Sequence, residues 1–180
     1  MKLYDLNKYF GKRGSYKEPT ENEIEILKEL VDALFLGITH LENIKILASK
    51  IKLNVVELED KKNNYAFLDK KVGPIFFVWN FNEINSGSCL VYCHAGSDGV
   101  NNFVLNQYLS GNHRCMVING MSIASTDKKS LTQPSRTMCN VDHSYENLMN
   151  FFVHFVNLKD PNLVFINLHG MLSDPDRNLW

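Results

Sequence analysis

The chain has no apolar run near the roughly 18 residues that a membrane-spanning helix needs. Its opening, Met1-Lys2-Leu3-Tyr4-Asp5-Leu6-Asn7-Lys8, carries charges where a secretory signal would have an apolar stretch of about 7 to 15 residues. A soluble, cytoplasmic chain without a cleaved export signal is expected, with no membrane partner. Charge imbalance is also missing: 19 lysines and arginines stand against 20 aspartates and glutamates, a net charge of −1. No global field then draws nucleic acid or anionic lipid, so no nucleic-acid partner is expected. The cysteines Cys89, Cys93, Cys115 and Cys139 lack C-x-x-C spacing, the mark of zinc knuckles and thioredoxin-type redox pairs. They read as reduced thiols of a cytosol-like compartment, packing as small hydrophobes. Collagen-like and disordered compositions, internal repeats and low-complexity tracts are absent as well.

What is present is an ordinary globular composition, 44% hydrophobic over 180 residues, enough for one domain with a sizeable core. Residues 1–19 mix Tyr4, Tyr9, Phe10 and Tyr16 with lysines and read as an arm packed on the domain outside its sheet. Thr20-Glu21-Asn22-Glu23 has capping-box spacing, and Ile24, Leu27, Leu30, Val31, Leu34 and Phe35 recur at helical intervals up to Gly37. A second helix is expected over 41–51. Strands are expected at Leu53–Leu58, Tyr65–Leu68, Pro74–Asn80 and Ser88–His94, with a hairpin turn at Lys61-Lys62-Asn63-Asn64. A helix over Val100–Leu109 and a strand over Cys115–Asn119 complete a βαβ unit, which demands a parallel pair. Residues 120–142 lack periodicity and read as a long loop, of the kind that is either functional or poorly ordered. Tyr145–Asn157 reads as a helix capped by Ser144, burying Leu148, Phe151, Phe152 and Phe155. The expectation is a single α/β domain over 1–180, a three-layer sandwich whose mixed sheet is parallel at its centre.

Two apolar strands end alike. Ser88-Cys89-Leu90-Val91-Tyr92-Cys93-His94 runs into Ala95-Gly96, and Leu163-Val164-Phe165-Ile166-Asn167-Leu168-His169 runs into Gly170. A histidine closing a buried strand stands where open α/β sheets keep their ligand sites. Were these strands parallel neighbours, their backbones would lie about 4.8 Å apart, and both imidazoles could reach one metal ion or one substrate. Asp98, on the bend after His94, offers an oxygen to complete a donor set suited to zinc; Asp98 or Ser97 equally serves as a helix cap. Asn167 shares a strand face with His169 and could orient that imidazole or a substrate carbonyl, or form with it a satisfied polar pair at the rim. On the long loop, Arg136 offers a planar fork for a carboxylate or phosphate, and Asp142 with His143 a general acid–base pair. A surface ion pair for Arg136 and a capping role for Asp142 are the plainer alternatives. His154 lies beside an apolar stripe and reads as a structural histidine. His40 and His113 stand at element boundaries without partners at ligand spacing and receive no role.

Val91-Tyr92-Cys93-His94-Ala95-Gly96 resembles the strand ending in His-x-Gly of the N-formylglutamate amidohydrolases. Leu163 to Met171 resembles their later strand ending in Asp-x-His-Ser-Met, with Asn167 where that family has aspartate. Ser135-Arg136, then Asn140-Val141-Asp142 and a helix bearing His154, are similar in order to that family's Ser-Arg and helix-borne histidine. These enzymes, with poly-gamma-glutamate hydrolases and zinc carboxypeptidases, imply an α/β sandwich holding a zinc that activates water against an amide. Carried over by position, the resemblance implies His94 and His169 as zinc ligands, Asp98 as an acidic ligand and Arg136 as a carboxylate anchor. The expected function is zinc-dependent hydrolysis of an amide or peptide-like bond near a carboxylate, in a small-molecule or peptide-like substrate.

Two other readings use the same residues. Ala95-Gly96-Ser97-Asp98-Gly99 satisfies the small-x-Ser-x-small pattern of a nucleophile elbow, with Asp142 or Asp160 and then His169 following in α/β-hydrolase order. A non-catalytic domain that binds a partner or ligand, and assembles as an oligomer through its aromatic arm, is the third.

Overall fold

Thr20 opens the first long helix as the spacing predicts. Its Oγ1 accepts the Glu23 backbone N–H at 3.2 Å while the Glu23 carboxylate accepts the Thr20 N–H at 2.9 Å, which satisfies two donors that a helix start leaves orphaned. The helix, α1, spans Glu21–Leu36 and turns its buried Leu27, Leu30, Val31 and Leu34 inward. Gly37 stops it at φ 98°, a backbone state that favours glycine, and α2 follows over Leu41–Lys50. The computed structural model describes residues 1–9, 19–69, 75–82, 87–92, 98–119 and 148–168.

After α2 the period changes from helical to alternating, and three strands form an antiparallel meander: β1 Leu53–Glu57, β2 Asn64–Asp69 and β3 Ile75–Asn80. Asn63 takes the hairpin's positive φ of 58°, which asparagine tolerates better than most residues. The rest alternates strand and helix: β4 Ser88–Tyr92, α3 Asp98–Ser110, β5 His113–Asn119, α4 Leu148–Lys159 and β6 Val164–Leu168. Strand order is β1-β2-β3-β5-β4-β6. β5 pairs antiparallel with β3 and parallel with β4, and β6 is parallel to β4 on its other side. The fold is α/β with a mixed sheet, its parallel strands running from the middle to one edge.

Alternation splits the sheet's side chains between two apolar clusters. Phe67, Phe77, Val91 and Val117 point toward α1, α2 and α4, whereas Ala66, Val78, Leu90 and Met116 point toward α3 and the N-terminal 3-10 segment Leu3–Tyr9. Phe77 stacks between Phe67 and Phe152, with ring centroids 4.3 and 4.1 Å away. Each large side chain buried this way contributes about 1.5–3 kcal/mol. The segment Leu3–Tyr9 is anchored by buried Leu3 and Leu6 and by the Leu3 N–H donating to the Asp60 carboxylate at 2.9 Å. No helix among the described residues is long and apolar enough to cross a membrane.

One stripe differs from its expectation. In α4 the buried apolar residues are Phe152, Val153 and Val156, while Leu148, Phe151 and Phe155 are only partly buried against the same cluster. Three phenylalanines pulled the expected stripe toward the largest side chains, but the helix seats its smaller valines against the sheet. His154 is accordingly half-buried, its ring 5.6 Å from that of Phe155.

Candidate functional site

The chain leaves β4 through α3 to β5 on one side, then returns through α4 to β6 on the other. α3 and α4 pack on opposite faces, and strand order reverses between β4 and β6, the kind of switch point at which open α/β sheets keep ligand sites beyond the carboxyl ends of their strands. Cα register pairs Val91 with Asn167 and Tyr92 with Leu168, so the two strands that precede His94 and His169 in the sequence are parallel neighbours. At the end of β4 the Tyr92 hydroxyl donates to Asn101 Oδ1 at 3.1 Å, with both side chains buried, and ties the strand to the first turn of α3.

The residues named from the sequence divide as follows. Asn167 is the next-to-last residue of β6 and is exposed. Asp98 is the first residue of α3, so the helix begins two residues earlier than the apolar spacing implies. His94, Ser97, Arg136, Asp142, His143 and His169 lie outside the described residues, as do Cys93, Cys139 and the loop over 120–142. Among the described residues no three of His, Cys, Asp and Glu come together in a way that could hold a metal ion. The donors proposed for zinc, two imidazoles and a carboxylate, are chemically of the kind that ion takes.

The opposite rim, at the amino ends of β4 and β5, carries a polar network that the sequence reading did not find. Buried Asn64 accepts from the Tyr108 hydroxyl at 2.6 Å and donates to the Lys62 carbonyl at 3.0 Å and to Asn80 Oδ1 at 3.3 Å. Asn80 donates to the His113 carbonyl at 3.1 Å, bridging β3 and β5. The Lys61 ammonium lies 4.5 Å from the Tyr108 ring centroid and donates to the carbonyls of Tyr108 and Gly111 at 2.5 and 3.1 Å, closing the C-terminal end of α3. Burial lowers the Lys61 pKa, against the pull of Asp60, and pushes the Tyr108 phenol well up.

His113 belongs to this rim. Register shifts where Ser88 faces His113 and Cys89 faces Cys115, leaving Arg114 as the extra residue of a β-bulge. Strict alternation would put His113 on the Cys115 face. Instead Arg114 lies 6.0 Å over the Trp79 ring on that face, and the His113 ring stacks at 6.0 Å on Tyr108 of α3. There its Nδ1 lies 2.7 Å from Ser88 Oγ and its Nε2 3.1 Å from the Gln107 carbonyl oxygen. A Cβ on Gly111 would come within 2.1 Å of that Nε2, so the ring needs glycine there. Burial, aided by the Lys61 charge, lowers the His113 pKa, while the Gln107 carbonyl opposes the shift. Ser88 and Gln107 are 25 and 6 residues away in sequence; the readable signals were only a glycine two residues before the histidine and a serine at a strand start.

Against known proteins the chain stands apart: no family model matches it, no curated protein matches it, and no solved structure matches it.

Proposed function

We propose that the protein is a zinc-dependent hydrolase that cleaves an amide or peptide-like bond next to a carboxylate, working at the carboxyl ends of β4 and β6. The observation that carries this reading is the parallel pairing of those two strands, Tyr92 opposite Leu168, at a point where strand order reverses. His94 follows Tyr92 by two residues and His169 follows Leu168 by one. His94, His169 and Asp98 would hold the ion. Zinc, when bound, supplies a water of lowered pKa and polarises a carbonyl. Arg136 would hold the substrate carboxylate by its two-pronged guanidinium, Asn167 would orient the scissile carbonyl, and Asp142 or His143 would move protons. The resemblance to N-formylglutamate amidohydrolases points to the same chemistry and the same ligands.

The test is elemental analysis of protein purified without added metal, run beside His94→Ala and His169→Ala. About one zinc per chain is expected for the parent, with at least tenfold less retained by either variant after dialysis, the scale of losing one of a few ligands. Equal zinc in parent and variants, or none in any of them, overturns the reading.

A further inference from the structure

We propose that Ser88 and His113 form a second reactive centre, a base-activated serine that accepts an acyl group from an activated ester. It lies at the amino ends of β4 and β5, opposite the carboxyl rim, and does not depend on the zinc reading.

The geometry assigns the protons. A carbonyl oxygen can only accept, so the 3.1 Å contact with Gln107 places a hydrogen on His113 Nε2. In the neutral ring Nδ1 is then the acceptor, and Ser88 Oγ–H donates to it over 2.7 Å. This is the hydroxyl–imidazole contact that nucleophilic serine catalysis requires, within the usual reach of nucleophile and base. Here the roles of the two ring nitrogens are exchanged relative to the familiar triad, and a backbone carbonyl does the orienting. The ring is held by both nitrogens, by the Tyr108 face, and by Gly111, whose missing Cβ makes room for it. Such restraint is the pre-organisation that a working base needs.

Two further observations fit. Burial and the Lys61 ammonium depress the His113 pKa, so the imidazole is neutral and able to take a proton at neutral pH. Ser88 and His113 are both only half-buried, which leaves the pair open to a reagent. The step balances without a further reactant. Ser88 Oγ attacks the acyl carbon and forms a new C–O bond while its proton passes to His113 Nδ1. The bond from the acyl carbon to the leaving oxygen breaks, and that oxygen takes the proton back from the imidazolium. An acyl-serine and a free alcohol or phenol result.

The probe is p-nitrophenyl acetate. The expected result is a burst of p-nitrophenol, a gain in intact mass of one acetyl group, and peptide mapping that places the acetyl on Ser88. Ser88→Ala should abolish that adduct, and His113→Gln should slow the burst at least about a hundredfold, the usual contribution of a positioned base. If His113→Gln does not fold by circular dichroism, the wild-type burst rate against pH takes its place: it should rise with pH through a midpoint below the ordinary histidine value of 6.5. Lys61 and Tyr108 also face the ring; burial lowers the Lys61 pKa and raises that of Tyr108. No acetyl on Ser88, a His113→Gln burst as fast as the parent's, or a flat pH profile overturns the proposal.

Discussion

The two ends of β4 and β5 are built on different plans. At the amino rim, Asn64, Asn80, Tyr108 and Lys61 bind one another and the backbone, so buried polar groups there are spent on holding β2, β3, β5 and α3 together. At the carboxyl rim, β4 and β6 end side by side in front of the segments that carry His94 and His169, and the Tyr92–Asn101 bond fastens the strand end to the helix behind. One rim is a lock, and the other is where strand order reverses. The Ser88–His113 pair is notable because it sits where the locked rim comes up to solvent.

The comparison can be broken by substitution, and the largest effect is expected at the lock. Asn64→Ala leaves the buried Tyr108 hydroxyl without its acceptor, while the Lys62 carbonyl and Asn80 Oδ1 keep Asn82 as donor, and should cost about 2 kcal/mol in urea unfolding, since a stranded buried polar group costs about 1–3 kcal/mol. A loss below about 1 kcal/mol would mean that water already serves this network. At the other rim, Tyr92→Phe removes one hydroxyl and should cost only about 1 kcal/mol by the same measurement. A Tyr92→Phe loss as large as that of Asn64→Ala would make the two rims equally locked and end the contrast.

The smallest effect is a pH dependence that sharpens the assignment of His113. Its folded pKa lies below 6.5, so between that lowered value and 6.5 the unfolded chain binds more protons than the folded one. Stability is then complete above about pH 6.5 and falls as pH drops through the lowered value. Unfolding curves of the parent against His113→Gln, taken from pH 7.5 downward in roughly half-unit steps, should show the parent losing stability on acidification relative to the variant. Parallel curves would mean that the ring is solvated in the folded protein.

Legibility in the sequence followed the range of the interactions. The capping box at Thr20, the period of α1, the hairpin before Asn64 and the parallel β4–β5 pair all rest on contacts or connections between near neighbours, and the structure contains each of them. That β6 lies beside β4, and not beyond β5, depends on which way a crossover runs, which no local pattern records; the matching strand ends only made it an attractive condition. The bulge at Arg114 was unreadable for a related reason. A two-against-one pairing with Ser88 reverses the face of His113, so counting alternate residues back from Cys115 gives the wrong side. The Lys61 closure of α3 joins segments 47 to 50 residues apart. Of the candidate site at the carboxyl rim, the strands and their order are in view, along with Asn167 and the start of α3 at Asp98.

Cys89 and Cys115 face each other across β4 and β5, both fully buried, and burial together with their mutual contact holds the Cys89 thiol well above its ordinary pKa. A thiol so protonated and enclosed is inert to alkylating reagents while the sheet stays shut. These two sulfurs are therefore a built-in clock for opening of the molecule: the rate at which iodoacetamide marks them, located by peptide mapping, counts how often the centre of the sheet comes apart in the otherwise native protein.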